Sequence, residues 1–197
     1  MRPFCTFIEQ IQAQPLVNNA LLSLQQRLQL NINVLLFCCW VAERGLKPLN
    51  KTELRDILLI ISPWHNQIVL ALKKLRKHLS QQVSKPTLYK ISKLIMAKEN
   101  AANQIEQMIL SDIMLKPGAN RTPEQRFADA CKNITVYCKE LPNGMDQQDT
   151  EAIKQLLTTI FPHIDTEQIT AYWGKSFNKS KNYNPFLYTQ TELDDLI

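Results

Sequence analysis

The sequence predicts an all-α protein, a compact bundle of about eight or nine helices with one long helix near residues 86–115, and three observations carry that expectation. Only four glycines occur in 197 residues, a scarcity that disfavours barrels, sandwiches and phosphate-cradling loops. Leu, Gln, Lys, Ala and Ile, all tolerant of helix, are abundant. Apolar residues recur at i, i+3, i+4 and i+7 along most of the chain. A fold of this length buries roughly 70% of its unfolded surface, so it stands without disulfides or metals.

Phe4, Phe7, Ile8 and Ile11 set the first helix, and Pro15 punctuates it. Val17, Ala20, Leu21, Leu24 and Leu28 stripe a second. Asn31 is placed to cap a third helix, Ile32 to Arg44, which Gly45 and Pro48 end. That helix is apolar on every side, the mark of a central, buried element. Asn50 with Glu53 forms a capping-box pattern ahead of Leu54, Ile57, Leu58 and Ile61. Ser62-Pro63 reads as a restart, a cap followed by proline in the first turn, of a helix carrying Trp64, Ile68, Leu72, Leu75 and Leu79 on one side. The long helix is expected to be striped by Leu88, Ile91, Leu94, Ile95, Ala102, Ile105, Ile109 and Ile113.

Lys116-Pro117-Gly118-Ala119-Asn120 is the best internal boundary. Thr122-Pro123-Glu124-Gln125 then opens a helix through Phe127, Cys131, Ile134, Tyr137 and Cys138, followed by a turn at Pro142-Asn143-Gly144. Ile153, Leu156, Leu157 and Ile160 mark the next helix, and Asp165 caps a last one through Ile169, Tyr172 and Trp173 to Gly174. The expected organisation is a helical core over 1–115, a C-terminal helical subdomain over 120–174 packed on it, and a polar, flexible tail over 175–197. In that tail Phe186, Leu187, Tyr188, Leu193, Leu196 and Ile197 are apolar residues that would suit a partner's groove or this chain's own surface.

Leu24-Gln25, the run Asn33-Val34-Leu35-Leu36-Phe37-Cys38-Cys39-Trp40, Pro63-Trp64, the basic stretch from Leu72 to Leu79, and Ala97-Lys98-Glu99 together resemble a bacterial helical family, domain of unknown function 2390. The likeness covers about residues 3–115, with a fainter echo over 127–161. That family repeats alanine–glutamate pairs along its long helix, whereas here Asn103 stands where a second glutamate is expected. The resemblance implies a helical fold and no established activity.

Charge distribution is the sharpest functional signal. Between Asp56 and Glu99 no acidic residue occurs, and the stretch carries +8 in a chain whose net charge is +5. Lys73, Arg76 and Lys77 share a helical face with Lys74 at its edge, and Lys90 and Lys93 extend the patch if the next helix packs alongside. Such a surface attracts nucleic-acid phosphates or anionic lipid in a salt-dependent way; equally, it is a solvated face balanced by Glu43, Glu53, Asp56, Glu99 and Glu106. Lys98 falls among Ile91, Leu94, Ala101, Ala102 and Ile105, on the apolar stripe, which makes it a candidate functional residue of the core; alternatively, its stem packs while the ammonium reaches water.

Five cysteines, an odd number without a signal-peptide pattern, read as free thiols of a cytoplasmic protein. Their spacing matches no zinc site, and His65, His78 and His163 stand in no metal motif. No cofactor or metal is implied, and no nucleophile elbow or Walker loop occurs. The expectation is a non-catalytic interaction module that binds another protein. The alternatives are a nucleic-acid-associated factor using Lys73, Lys74, Arg76, Lys77, Lys90 and Lys93, and a small-molecule or enzymatic site in the core near Lys98.

Overall fold

The computed structural model describes residues 3–81, 86–141 and 144–178. These form α1 (Phe4–Gln12), α2 (Pro15–Leu28), α3 (Ile32–Glu43), α4 (Lys51–Trp64), a π-helical segment (His65–Val69), α5 (Leu70–Ser80), α6 (Pro86–Ser111), α7 (Pro123–Cys138), α8 (Gln147–Ile160) and α9 (Thr166–Asn178). The fold is all-α, with no strand among the described residues. Helix α9 continues to Asn178, through the first four residues of the expected 175–197 tail, and the rest of that tail and the turn residues Pro142 and Asn143 lie outside the described residues.

The first three apolar stripes translate directly into packing. Phe4, Phe7, Ile8 and Ile11 of α1 are buried, as are Val17, Ala20, Leu21, Leu24 and Leu28 of α2. In α3 every residue from Asn33 to Ala42 is buried, which places this helix at the centre. Helix α7 packs along α3, α8 along α2, and α9 covers α7 and α8. One continuous apolar cluster therefore runs from Phe4 to Trp173.

Local signals end the helices where they stand in the sequence. Asn50 with Glu53, and Thr122 with Gln125, close reciprocal capping boxes, and Asp146 with Asp149 adds a third at α8. Asp165 accepts from the Glu167 N–H at 2.9 Å at the start of α9. Gly45 closes α3 in the left-handed region, φ +68°, and Arg126 Nη1 donates to the Glu43 carbonyl there at 3.1 Å. The 116–120 segment is held rather than free. The Lys47 N–H donates to the Lys116 carbonyl at 3.3 Å, and Gly118 lies so close to the Gly45 carbonyl that a Cβ there would collide with it.

Two stretches depart from the expected registers. Pro63 does not restart a helix; it lies inside α4, and α4, the π segment and α5 form one uninterrupted helical run from Lys51 to Ser80. Pro63 has no N–H for the preceding turn, and the run continues past it through a widened turn in which the Leu70 N–H reaches the His65 carbonyl. The extra residue rotates everything downstream by about 100°. Val69 is consequently buried while Ile68 is 37% exposed, and Leu75 is exposed as well.

In α6 the inward register is Ile95, Glu99, Ala102, Glu106 and Leu110, not the more apolar series through Ile91, Leu94 and Ile105, all three of which are exposed. The helix ends at Ser111, four residues short of the expected limit. Two glutamates thus occupy core positions of the long helix.

Candidate functional site

Glu106 is completely buried, and a buried carboxylate persists only if its oxygens are well supplied with donors. The N-terminus of α3 supplies them. Asn31 Nδ2 donates to Glu106 Oε1 at 2.5 Å, and Asn33 Nδ2 to Oε2 at 2.8 Å. His65, the first residue of the π segment, places Nδ1 3.0 Å from Glu106 Oε1 and 2.9 Å from Asn31 Nδ2. With Nδ1 protonated, the ring donates to Glu106; with the proton on Nε2, Nδ1 accepts from Asn31.

Asn31 also caps α3, its Oδ1 accepting from the Asn33 and Val34 N–H groups at 2.9 and 3.4 Å. Tyr137 of α7 braces its backbone, accepting from the Asn31 N–H at 2.8 Å and donating to the Asn31 carbonyl at 3.3 Å. Burial pushes the Tyr137 phenol well above its ordinary pKa, so it stays a donor. Asn33 is in turn bonded to Asn103 Oδ1 at 3.3 Å and to Gln107 Nε2 at 3.2 Å.

Beside this network a cleft of about 650 Å³ opens between α1, α2, the α3 N-terminus, α5 and α6. Its walls carry eight carboxamide side chains, from Gln12, Gln25, Asn31, Asn33, Asn100, Asn103, Gln104 and Gln107, and no aromatic ring. The carboxylates of Glu9 from α1 and Glu99 from α6 line it as well. Lys73 and Arg76 face it from α5. Both are turned inward by the rotation at the π segment, since Val69, Lys73 and Arg76 follow one another at i, i+4 and i+7. Arg76 Nε donates to Glu99 Oε2 at 2.5 Å, and this pairing raises the guanidinium pKa further. Lys73 bonds Gln25 Oε1, and its removal from water lowers its pKa.

The six basic residues expected to form one face are therefore divided. Lys73 and Arg76 line the cleft, whereas Lys74, Lys77, Lys90 and Lys93 are exposed, with Lys93 Nζ 4.8 Å from the Tyr89 ring centre. Lys98 is exposed too, a correction to its expected place on the apolar stripe. It belongs to the outward register of α6, and the charge on the inward side is that of its neighbour Glu99. Cys38, Cys39 and Cys131 are buried free thiols; burial pushes Cys131 up to about 12, so it is held as an unreactive thiol. Among the described residues no group of three His, Cys, Asp or Glu side chains is arranged to hold a metal ion, and no helix is long and apolar enough to cross a membrane.

The sequence profile of the family described as "Protein of unknown function (DUF2390)" matches residues 4–110. The chain belongs to this family. No curated protein and no solved structure matches it. The DUF2390 segment contains the whole cleft lining, from Cys5 to Met108, and every side chain of the buried network except Tyr137. The site thus lies within the DUF2390 segment, with Tyr137 the contribution of the helices beyond it.

Asn31, Asn33, His65 and Glu106 were not candidates on sequence grounds. The signal that points to them is the spacing of Glu99 and Glu106, seven residues apart and in phase with Ile95 and Ala102. Their partners lie 23 to 75 residues away in the chain, beyond the reach of local pattern.

Proposed function

We propose that this chain is a binding protein for a small polar molecule, which it holds in the cleft between α1, α2 and the α5–α6 pair. The observation that carries this reading is the buried Asn31–Asn33–His65–Glu106 network standing against a cleft that lies wholly within the family segment. Buried polar networks stabilise a fold less dependably than apolar packing does, so stability alone does not account for one at the central helix. They do fix side-chain positions, which is what recognition of a small molecule requires. The cleft volume falls within the roughly 300–1,000 Å³ of ligand pockets.

The test is native mass spectrometry of the full chain, joined to a thermal-shift screen of small polar metabolites, on the wild type and on Asn100→Trp and Gln104→Trp. Both substitutions place a bulky ring at the rim while sparing the buried network. A ligand that stabilises the wild type and not the filled variants is the expected result. Folded variants that respond like the wild type to every compound would sink the reading.

A second reading, a protein-interaction module, draws on a separate observation. Ile60 and Met114, the latter 97% exposed, border a smaller groove of about 210 Å³ lined also by Leu49, Ile57, Ile113 and Leu115, and Leu59 is exposed nearby in sequence. Met114→Glu should abolish capture of a partner if that surface is used. The nucleic-acid reading is weaker, because Lys73 and Arg76 face the cleft and leave four of its six phosphate contacts on the outer surface.

A further inference from the structure

Four charged residues line the cleft, Glu9, Lys73, Arg76 and Glu99, and Lys73 stands apart from the others and from the buried Glu106 behind them. Arg76 and Glu99 neutralise each other across α5 and α6, and Glu106 is enclosed by Asn31, Asn33 and His65. Lys73 has a neutral partner, Gln25, and no carboxylate among the described residues pairs with it. Glu99 is near enough to favour the ammonium, yet its oxygens are committed to Arg76. The α3 N-terminus, the other electropositive element at the cleft, is already capped by Asn31. Glu9 of α1 also lines the cleft, but it is exposed and makes no ion pair with Lys73. Lys73 is therefore the one half-buried charge of the lining without an ion-pair partner.

We propose that the cleft takes a small organic monocarboxylate, with its carboxylate on Lys73 Nζ and its amide or hydroxyl groups on the rim carboxamides Gln12, Asn100 and Gln104. This rests on the reading of the cleft as a ligand site and names the ligand's chemistry. A single ammonium matches a single negative charge. Phosphate recognition draws on a free helix N-terminus or on guanidinium forks, and here both are occupied. A carboxamide offers a donor and an acceptor at once, which suits amide and hydroxyl groups. A lining without aromatic rings provides no platform on which a nucleobase would stack.

The experiment is a set of nitrogen–proton NMR titrations of the full chain with N-acetylglycine, its uncharged analogue N-acetylglycinamide, and inorganic phosphate, each at millimolar concentration. The expected result is that N-acetylglycine shifts the side-chain amide signals of Gln25, Asn100 and Gln104 and the uncharged amide does not. Lys73→Met should weaken the response about tenfold or more, the factor expected on losing a charge-assisted hydrogen bond, and Lys73→Arg should restore part of it. Should Lys73→Met fail to fold, the contrast between the charged and uncharged probes on the wild type decides alone.

If the uncharged amide binds equally well and Lys73→Met changes nothing, the carboxylate assignment falls while the cleft remains a polar-ligand site. A stronger response to phosphate also overturns it. Silence from all three probes overturns it as well, and the metabolite screen with the filled variants then decides the cleft reading separately.

Discussion

Helix α3 is buried along almost its whole length, but its two ends are held by opposite chemistry. At the C-terminal half, Phe37 and Trp40 meet Phe4 of α1, with ring centres 5.3 to 5.6 Å apart. Shape and apolar area hold that end, as in an ordinary core. At the N-terminal end Asn31 and Asn33, 8% and 4% exposed, are bound to a carboxylate and a histidine. Here position is set by hydrogen-bond direction, and a missing partner leaves a desolvated group behind. One helix therefore has an end that tolerates apolar exchange and an end that does not, and the cleft opens at the second.

The largest effect should come from the apolar end. Phe37→Ala removes a fully buried ring and should lower stability by about 3–5 kcal/mol, seen as a lower denaturant midpoint with an unchanged slope. Phe37→Leu should cost far less, since the space is mostly refilled. At the polar end, Glu106→Leu leaves the Asn31 and Asn33 amides without their acceptor and should cost about 2–4 kcal/mol. Glu106→Gln, of similar shape, should cost about half as much, because one oxygen still accepts. The comparison sharpens in a double-mutant cycle. Glu106→Leu with Asn33→Leu should be less damaging than the two separate losses together, by about 1 kcal/mol or more. Strict additivity at this pair would break the distinction between the two ends.

The apolar end of α3 was legible in the sequence and the polar end was not, for a physical reason. Phe4, Phe7, Leu21, Leu24 and the Val34–Val41 run declare burial through period and composition, which are local properties. The caps at Asn31, Asn50, Thr122 and Asp165 are legible too, since each acts within three residues. On sequence grounds Glu99 and Glu106 read as counter-charges of a solvated basic face, because the competing register through Ile91, Leu94 and Ile105 is the more apolar. Only tertiary partners reverse that preference: Arg76, Asn31, Asn33 and His65. The π segment hides in the same way. Pro63 announces a break, and packing of Trp64, whose Nε1 donates to the Ala102 carbonyl at 2.9 Å, accompanies a continuous helix instead. Once the register shifts there, Lys73 and Arg76 turn from an expected outer face to the cleft.

A smaller effect is expected at the turn that delivers the polar end. Gln29 closes α2 with φ 54°, a left-handed conformation that disfavours a residue with a Cβ. Gln29→Gly should relieve that strain and lose part of the gain to greater freedom in the unfolded chain, for a net rise in stability of up to about 1 kcal/mol. Placed on a background of Glu106→Leu, the same substitution should give the same gain, because it acts through the backbone and not through the network. A gain that disappears on that background would show the turn and the network to be one cooperative unit.

The smallest effect, and the one that bears most on function, concerns Lys73. Its folded-state pKa lies below the ordinary 10.5 because burial disfavours the ammonium. At pH values between the two, the unfolded chain binds more protons, so stability rises with pH across that window. Below it the full penalty is present. Lys73→Met should therefore be slightly more stable than the wild type at neutral pH, by less than about 1 kcal/mol once solvent screening is allowed for. That advantage should shrink as the pH climbs through the window toward 10.5. Thermal melts of both proteins across neutral and alkaline pH measure it directly. A charge that weakens the free protein is what a binding residue looks like before its partner arrives. A carboxylate on Lys73 should then raise the melting temperature of the wild type and leave that of Lys73→Met unmoved. A Lys73→Met protein less stable than the wild type at neutral pH would instead make Lys73 a structural residue, tied to Gln25 for the sake of the fold.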